Sequence, residues 1–284
     1  MAVSEILEFE CDPSLEGMAR LVRDVVYSTA TGQELKLTLM LPWNQKNPRP
    51  LVVFVQGSGW THPDVDFEIP QLSQLARMGY VVATIDHRSA TEGHPFPAYL
   101  QDTKTAIRFL RAHAAEYGID PARVCIYGTS SGGNTALLVG LTGDDSRFKT
   151  DEYSQQSDSV QLVVECFGPA NLLHMLDSRA CADPESIWQQ VAQGLAGNND
   201  PQTVIAAMSP VNYVLPNRAY PPFFLLHGDA DTLVPYEQSL EMLQTLQAAG
   251  IDVRMARVHG APHEGSFWSE GLVAEIFRYI RERL

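Results

Sequence analysis

The sequence predicts an α/β protein, with a central, mostly parallel β-sheet and helices on both faces. Three observations predict it. Apolar runs of strand length alternate with segments of helical spacing over most of the 284 residues. Several of those runs, such as Leu51-Val52-Val53-Phe54-Val55, are continuously apolar, as expected of strands covered on both faces. The composition, 45% hydrophobic and 19% charged, is that of a globular chain and excludes disorder and coiled coil.

The elements follow in order. Apolar stretches at 21–27 and 35–41 flank Thr31-Gly32-Gln33, which predicts an antiparallel hairpin. Strands at 51–55 and 81–85 enclose a helix over 69–78, closed by Gly79. Apolar positions 100, 107, 110 and 114, with neutral Thr103, predict one helix over 99–117 that ends at Gly118. Asp120-Pro121 then turns the chain into a strand at 124–127. Further strands fall at 160–166, 223–226 and 253–258, and late helices at 236–249 and 272–284. The stretch 171–220 breaks the alternation with short helical pieces at 187–195 and 201–208. It is expected to form a cap-like insertion over one end of the sheet, within a single domain spanning 1–284.

Against 20 Lys+Arg stand 34 Asp+Glu, a net charge of −14. That balance argues against nucleic-acid and anionic-membrane partners. No apolar stretch approaches the ~18 residues of a membrane span. The start, Met1-Ala2-Val3-Ser4-Glu5, lacks the apolar run of a signal peptide, so a cytoplasmic location is expected. Cys11, Cys125, Cys166 and Cys181 form no CxxC pair. The two that lie in apolar runs, Cys125 and Cys166, are expected in the core, not in a disulfide framework or a zinc site. Oligomeric state is left open.

One motif carries chemistry. Gly128-Thr129-Ser130-Ser131-Gly132 matches G-x-S-x-G, with an apolar strand entering it and a helix-forming run, 134–141, leaving it. A sharp turn there presents a serine hydroxyl above the sheet edge, and close packing demands glycine on both sides. Ser130 is chosen over Ser131 because only Ser130 has glycine at both −2 and +2. A serine hydroxyl near neutral pH needs a base, itself oriented by an acid. In this strand–turn–helix setting the acid and then the histidine follow the serine in the chain. Two downstream strands end in candidates. One runs into His227-Gly228-Asp229-Ala230-Asp231, the other into His259-Gly260-Ala261-Pro262-His263. The residues alone leave open which member of each pair acts.

The segment from His227 to Pro235 resembles the H-G-x-x-D-x-x-V-P acid loop of α/β-hydrolase esterases and serine peptidases. The resemblance implies that Asp231 is the acid and Asp229 a brace for the turn. Gly260-Ala261-Pro262-His263 is similar to the histidine loop of that superfamily and implies His263 as the base, with His227 and His259 bonding locally. After the third strand, Gln56-Gly57-Ser58-Gly59-Trp60 resembles the H-G-G-G-W oxyanion loop of hormone-sensitive-lipase-type and feruloyl-esterase-like families. Gln56 and Ser58 depart from that pattern. The implied oxyanion donors are the N–H groups of Ser58, Gly59 and Ser131; Trp60 is assigned to substrate binding or to packing of its loop. Asp86-His87-Arg88, the 94–98 segment followed by Asp102, and 118–124 extend the resemblance over about 20–284. Arg88 and Asp102 are expected to form a structural ion pair.

The resemblance therefore implies an α/β-hydrolase fold and a serine esterase. Its substrate would be a small-molecule ester of a small or aromatic acyl group, feruloyl or acetyl on a carbohydrate, and the mechanism requires no metal or organic cofactor. Met175, Trp188 and Leu195 of the insertion either line the acyl slot or anchor the insertion. Two alternatives stand beside this reading. One is an oligopeptidase-type serine peptidase, although such enzymes carry a large extra domain. The other is a non-catalytic small-molecule receptor on the same scaffold.

Overall fold

The computed structural model describes residues 6–44, 47–177 and 187–284, without the side chains of 187–190. Cys181 and the side chain of Trp188 lie outside the described residues. The chain opens with the hairpin β1 (Ala19–Ser28) and β2 (Leu35–Pro42), followed by β3 (Arg49–Val55), α1 (Ile69–Arg77) and β4 (Val81–Ile85). Next come α2 (Ala98–Ala112), α3 (Ala114–Tyr117), β5 (Ile119–Thr129), α4 (Ser131–Leu141) and β6 (Leu162–Cys166). The segment 171–220 supplies α5 (Leu172–Asp177), α6 (Ile187–Ala196) and α7 (Pro201–Ala207). The chain ends with β7 (Phe223–Gly228), α8 (Glu237–Ala248), β8 (Val253–Val258) and α9 (Glu270–Arg283).

Eight strands form one sheet in the order β1-β2-β4-β3-β5-β6-β7-β8. The β1–β2 and β2–β4 pairs are antiparallel, and every other pair is parallel. This is the α/β-hydrolase fold. The continuously apolar strands have the reason expected of them. In β3, Leu51, Val53 and Val55 join the core under α2 and α4, whereas Val52 and Phe54 face the core of α1 and α9. Cys125 and Cys166 are buried in the second of these cores.

One expected helix is two. His113 leaves helical dihedrals (φ −103°, ψ 21°), and its ring Nδ1 shares the Phe109 carbonyl with its own N–H. The apolar spacing continues through this break, so periodicity could not show it. Sequence also concealed how thoroughly α2 is buried. Lys104 and Arg108 are fully enclosed, and both bond Asp158, at 2.6 and 2.9 Å. Lys104 Nζ also donates to the Thr142 carbonyl, and Arg108 to Thr105 and Thr150. Together these bonds fasten the connection between α4 and β6 onto α2.

In the insertion, Leu172, Ala192, Leu195, Val204 and Ile205 belong to the same core as the sheet face beneath them. Met175 and Leu195 are each 1% exposed, so both anchor the insertion instead of lining an open slot. A Cβ on Gly194 of α6 would touch Thr91, and one on Gly197 would touch Pro95. The insertion therefore leans on the chain that follows β4. Among the described residues no helix is long and apolar enough to cross a membrane.

Breaking the buried ion cluster tests its structural weight. Asp158→Asn leaves two enclosed cations without their carboxylate and is expected to lower stability by about 3–5 kcal/mol. Urea unfolding would read this, and an unchanged midpoint would show that the cluster is dispensable.

Candidate active site

The site is assembled at the C-terminal ends of the parallel strands, where open α/β sheets present their functional loops. Ser130 stands between β5 and α4 with φ 52° and ψ −121°. A non-glycine residue holds such a conformation only when its surroundings enforce it. Here they do. The Ser130 N–H donates to the Cys166 carbonyl at 2.9 Å, and the Ser130 carbonyl accepts the Asn134 N–H at 3.0 Å. The glycines of the motif are required by space. A Cβ on Gly128 would lie 2.1 Å from the Gly132 carbonyl oxygen, and one on Gly132 would lie 2.0 Å from that of Val55.

Ser130 Oγ lies 3.0 Å from His263 Nε2, and His263 Nδ1 lies 2.6 Å from Asp231 Oδ2. The three candidates thus form one hydrogen-bonded line, drawn from three loops. Asp231 is enclosed and fully engaged. Its Oδ1 accepts the N–H groups of Leu233 and Val234, while Oδ2 meets both His263 and, at 3.2 Å, His227 Nε2. Burial opposes ionisation of this carboxyl. The bonds from His227, His263 and Val234 outweigh burial and hold it well below the usual carboxylate range.

His227 was expected only to bond locally, and it does more. Its Nε2 also meets the Val234 carbonyl at 3.0 Å, and a carbonyl only accepts, so Nε2 carries the proton. Nδ1 then accepts from the Ser239 hydroxyl at 2.7 Å. His227 is therefore a second donor to Asp231. The signal was present in the H-G-x-x-D spacing, which turns the aspartate back over the histidine of its own strand.

The other members of each pair take bracing roles. Asp229 accepts from Gly260 N–H, Arg257 Nε and His259 Nδ1, and the Gly260 and Arg257 bonds draw its carboxyl down to about 2. His259, 78% exposed in its side chain, is held by Asp229 and is not part of the Ser130 line. Arg88 and Asp102 form the expected ion pair, with Nε and Nη2 both donating to the carboxylate and Arg88 N–H adding a third donor.

The oxyanion loop departs from expectation in two places. The Ser58 N–H, expected to face the substrate, instead donates to Ser131 Oγ at 2.9 Å, because the loop lies against the first turn of α4. Among the described residues nothing accepts from the backbone N–H of Gly59, Trp60 or Ser131. Trp60 is 1% exposed and packs in the core near Tyr99, with 6.3 Å between ring centroids, so its side chain offers substrate no wall. Gln56, in the place of the usual histidine, accepts the Asp64 N–H at 2.5 Å and ties the loop to its own far end.

Phe167 escaped sequence reasoning altogether. It follows β6 with φ 43°, is fully buried, and sets its ring edge-on to His263 at 4.7 Å. With Trp60 (φ 61°), Ser130 and Glu264 (φ 66°), it completes a set. The loops after β3, β5, β6 and β8 each carry one left-handed non-glycine residue, a conformation costing about 1–3 kcal/mol at each position. Among the described residues no group of three or more His, Cys, Asp or Glu side chains could hold a metal ion.

Behind the Ser130 turn lies Glu165. Its Oε1 accepts the Gly168 N–H, while Oε2 is buried without a hydrogen-bond partner. Burial pushes this carboxyl from 4.5 up to about 8. The folded protein therefore keeps a proton that the unfolded chain releases near 4.5, and the associated stability is lost as pH rises through about 8. Glu165→Gln has no such proton. The wild-type Tm should fall relative to the glutamine variant between about pH 4.5 and 8. Parallel Tm curves would mean that the carboxyl is not held neutral.

Esterase LipC of Mycobacterium tuberculosis is 29% identical over 247 residues, 85% of this chain and 59% of its own length. A probable isoprenylcysteine α-carbonyl methylesterase of Arabidopsis thaliana is 28% identical over 91% of this chain and 54% of its own. The chain thus spans little more than half the length of these relatives. A truncated carbohydrate esterase from gut microbiota superposes with a TM-score of 0.79 at 26% identity, covering 94% of this chain and 97% of that one. The BD-FAE family model matches residues 37–246, from β2 into α8, and the chain belongs to that family.

Proposed function

We propose that this chain is a serine carboxylic-ester hydrolase. The observation that carries the reading is the continuous Ser130–His263–Asp231 line, with the carboxylate held ionised and enclosed. His263 Nε2 takes the Ser130 proton as Oγ attacks the ester carbonyl. Negative charge then develops on the carbonyl oxygen, and the N–H groups of Ser131 and Gly59 receive it. Collapse of the tetrahedral intermediate releases the alcohol, which takes the proton from His263 and leaves an acyl group on Ser130. A water molecule, deprotonated by His263, attacks that acyl-enzyme. The acid leaves, and the proton returns to Ser130. Asp231 holds the imidazole with Nδ1 protonated and stabilises its charged form. His227 keeps the Asp231 carboxylate from rotating away.

For substrate, the reading is a small or aromatic acyl group esterified to a carbohydrate. Two structural neighbours support the alcohol side. The gut carbohydrate esterase is one, and a bifunctional GH43-CE protein of Bacteroides eggerthii, at a TM-score of 0.79 and 28% identity, is the other. Est2 of Thermogutta terrifontis, solved with propionate and with butyrate, supports a short acyl group.

Ser130→Ala should abolish both 4-nitrophenyl acetate hydrolysis and labelling by a fluorophosphonate while leaving Tm unchanged; turnover in that variant would sink the mechanism. His263→Ala should lose at least about a hundredfold in kcat, whereas His259→Ala, bonded only to the brace, should stay close to wild type. The reverse ranking would make His259 the base. A panel of acetyl, butyryl, octanoyl and feruloyl esters of one sugar should peak at acetyl or feruloyl. A preference for octanoyl would overturn the assigned acyl class.

A further inference from the structure

The two residues that flank Ser130 do something the esterase reading does not use. Thr129 Oγ1 accepts the N–H of Gly57 at 2.9 Å, and Ser131 Oγ accepts the N–H of Ser58 at 2.9 Å. Consecutive amides of the loop after β3 are thus held by hydroxyls on either side of the nucleophile. The loop is pressed onto Ser130 itself, since a Cβ on Gly57 would lie 2.6 Å from the Ser130 Cβ. Beyond Ser58 the chain makes a tight turn. The Thr61 N–H closes onto the Ser58 carbonyl at 3.2 Å, and Gly59 and Trp60 are both left-handed, as in a type I′ turn. Two further bonds lock it, Ser58 Oγ to the Thr61 carbonyl and Thr61 Oγ1 to the Ser58 carbonyl, each 2.7 Å. The turn is therefore a rigid unit, and the Ser58 N–H to Ser131 Oγ bond is its direct tie to α4.

We propose that the Ser131 hydroxyl is a positioning residue for the oxyanion hole: by occupying the Ser58 N–H it fixes the turn that presents the Gly59 N–H beside Ser131's own N–H. One residue then serves twice, its backbone as a donor to the oxyanion and its side chain as the anchor of the second donor. Ser131 is 3% exposed, so no water substitutes freely for its hydroxyl. The inference rests on Ser130 being the nucleophile of an acyl transfer. Its cost when lost is set by geometry. Removing an oxyanion donor outright lowers kcat by roughly 100- to 1000-fold. Loosening one that remains present should cost less, about 10-fold.

The test combines Ser131→Ala with a readout that needs no turnover. In the inactive Ser130→Ala background, adding Ser131→Ala should speed hydrogen exchange of the Ser58 amide by at least about tenfold, because its acceptor is gone. With Ser130 intact, Ser131→Ala should lower kcat about tenfold with KM within twofold. It should weaken a trifluoromethyl ketone inhibitor by the same factor, since that adduct carries the oxyanion. Fluorophosphonate should still label Ser130. Ser131→Cys keeps the size and a weak sulfur acceptor, and should fall between alanine and wild type; it also serves if the alanine variant does not fold. Unchanged amide exchange, or unchanged kcat and inhibitor affinity, would overturn the proposal. So would a rise in kcat, which would mean that the freed Ser58 N–H is itself the better donor. If wild type neither labels nor turns over, the nucleophile assignment fails instead, and amide exchange still decides whether Ser131 anchors the loop.

Discussion

The structure depends on backbone meeting backbone at the Ser130 turn. Gly128, Gly132 and Gly57 bring β5, the start of α4 and the loop after β3 closer than any side chain allows. That contact fixes where the β3 loop can lie, with its Gly57 and Ser58 amides held on either side of Ser130. Removing hydrogen bonds would loosen the arrangement by degrees. Inserting a methyl at Gly132 instead drives a carbon from α4 into the Val55 carbonyl, and β3 has no room to retreat because it is covered on both faces.

Three buried acidic side chains of this acidic chain meet the cost of burial in different ways. Asp231 has every lone-pair direction occupied by a donor. Asp158 satisfies two enclosed cations. Glu165 makes no ion pair among the described residues and escapes the cost of burial by keeping its proton. Asp231, after β7, and Glu165, in β6, are buried carboxyls that shift in opposite directions: hydrogen bonds and the imidazole charge outweigh burial at the first, and burial prevails at the second. One meets two imidazoles and two amides, the other a single amide.

Much of this was legible in the sequence, and the reason differs by feature. Strands were readable because burial on both faces leaves an unbroken apolar run. The turn at Ser130 was readable because close packing restricts its neighbours to glycine, a constraint written within five residues. Asp231 and His263 needed the resemblance, since local pattern could not choose between members of each pair. What stayed hidden depends on partners distant in the chain. Ser131 meets Ser58 across 73 positions, which took the expected donor away from the substrate. Phe167 meets His263, and Lys104 and Arg108 meet Asp158, with no short-range signature. Trp60 stood where relatives of the motif carry tryptophan, yet only the fold shows that its ring points into the core.

The four left-handed residues at the strand ends show which way free energy flows in this fold. Trp60, Ser130, Phe167 and Glu264 each hold a backbone conformation that costs a residue with a side chain about 1–3 kcal/mol. The packed interior therefore holds the rim of the sheet in a shape that the rim's own residues disfavour.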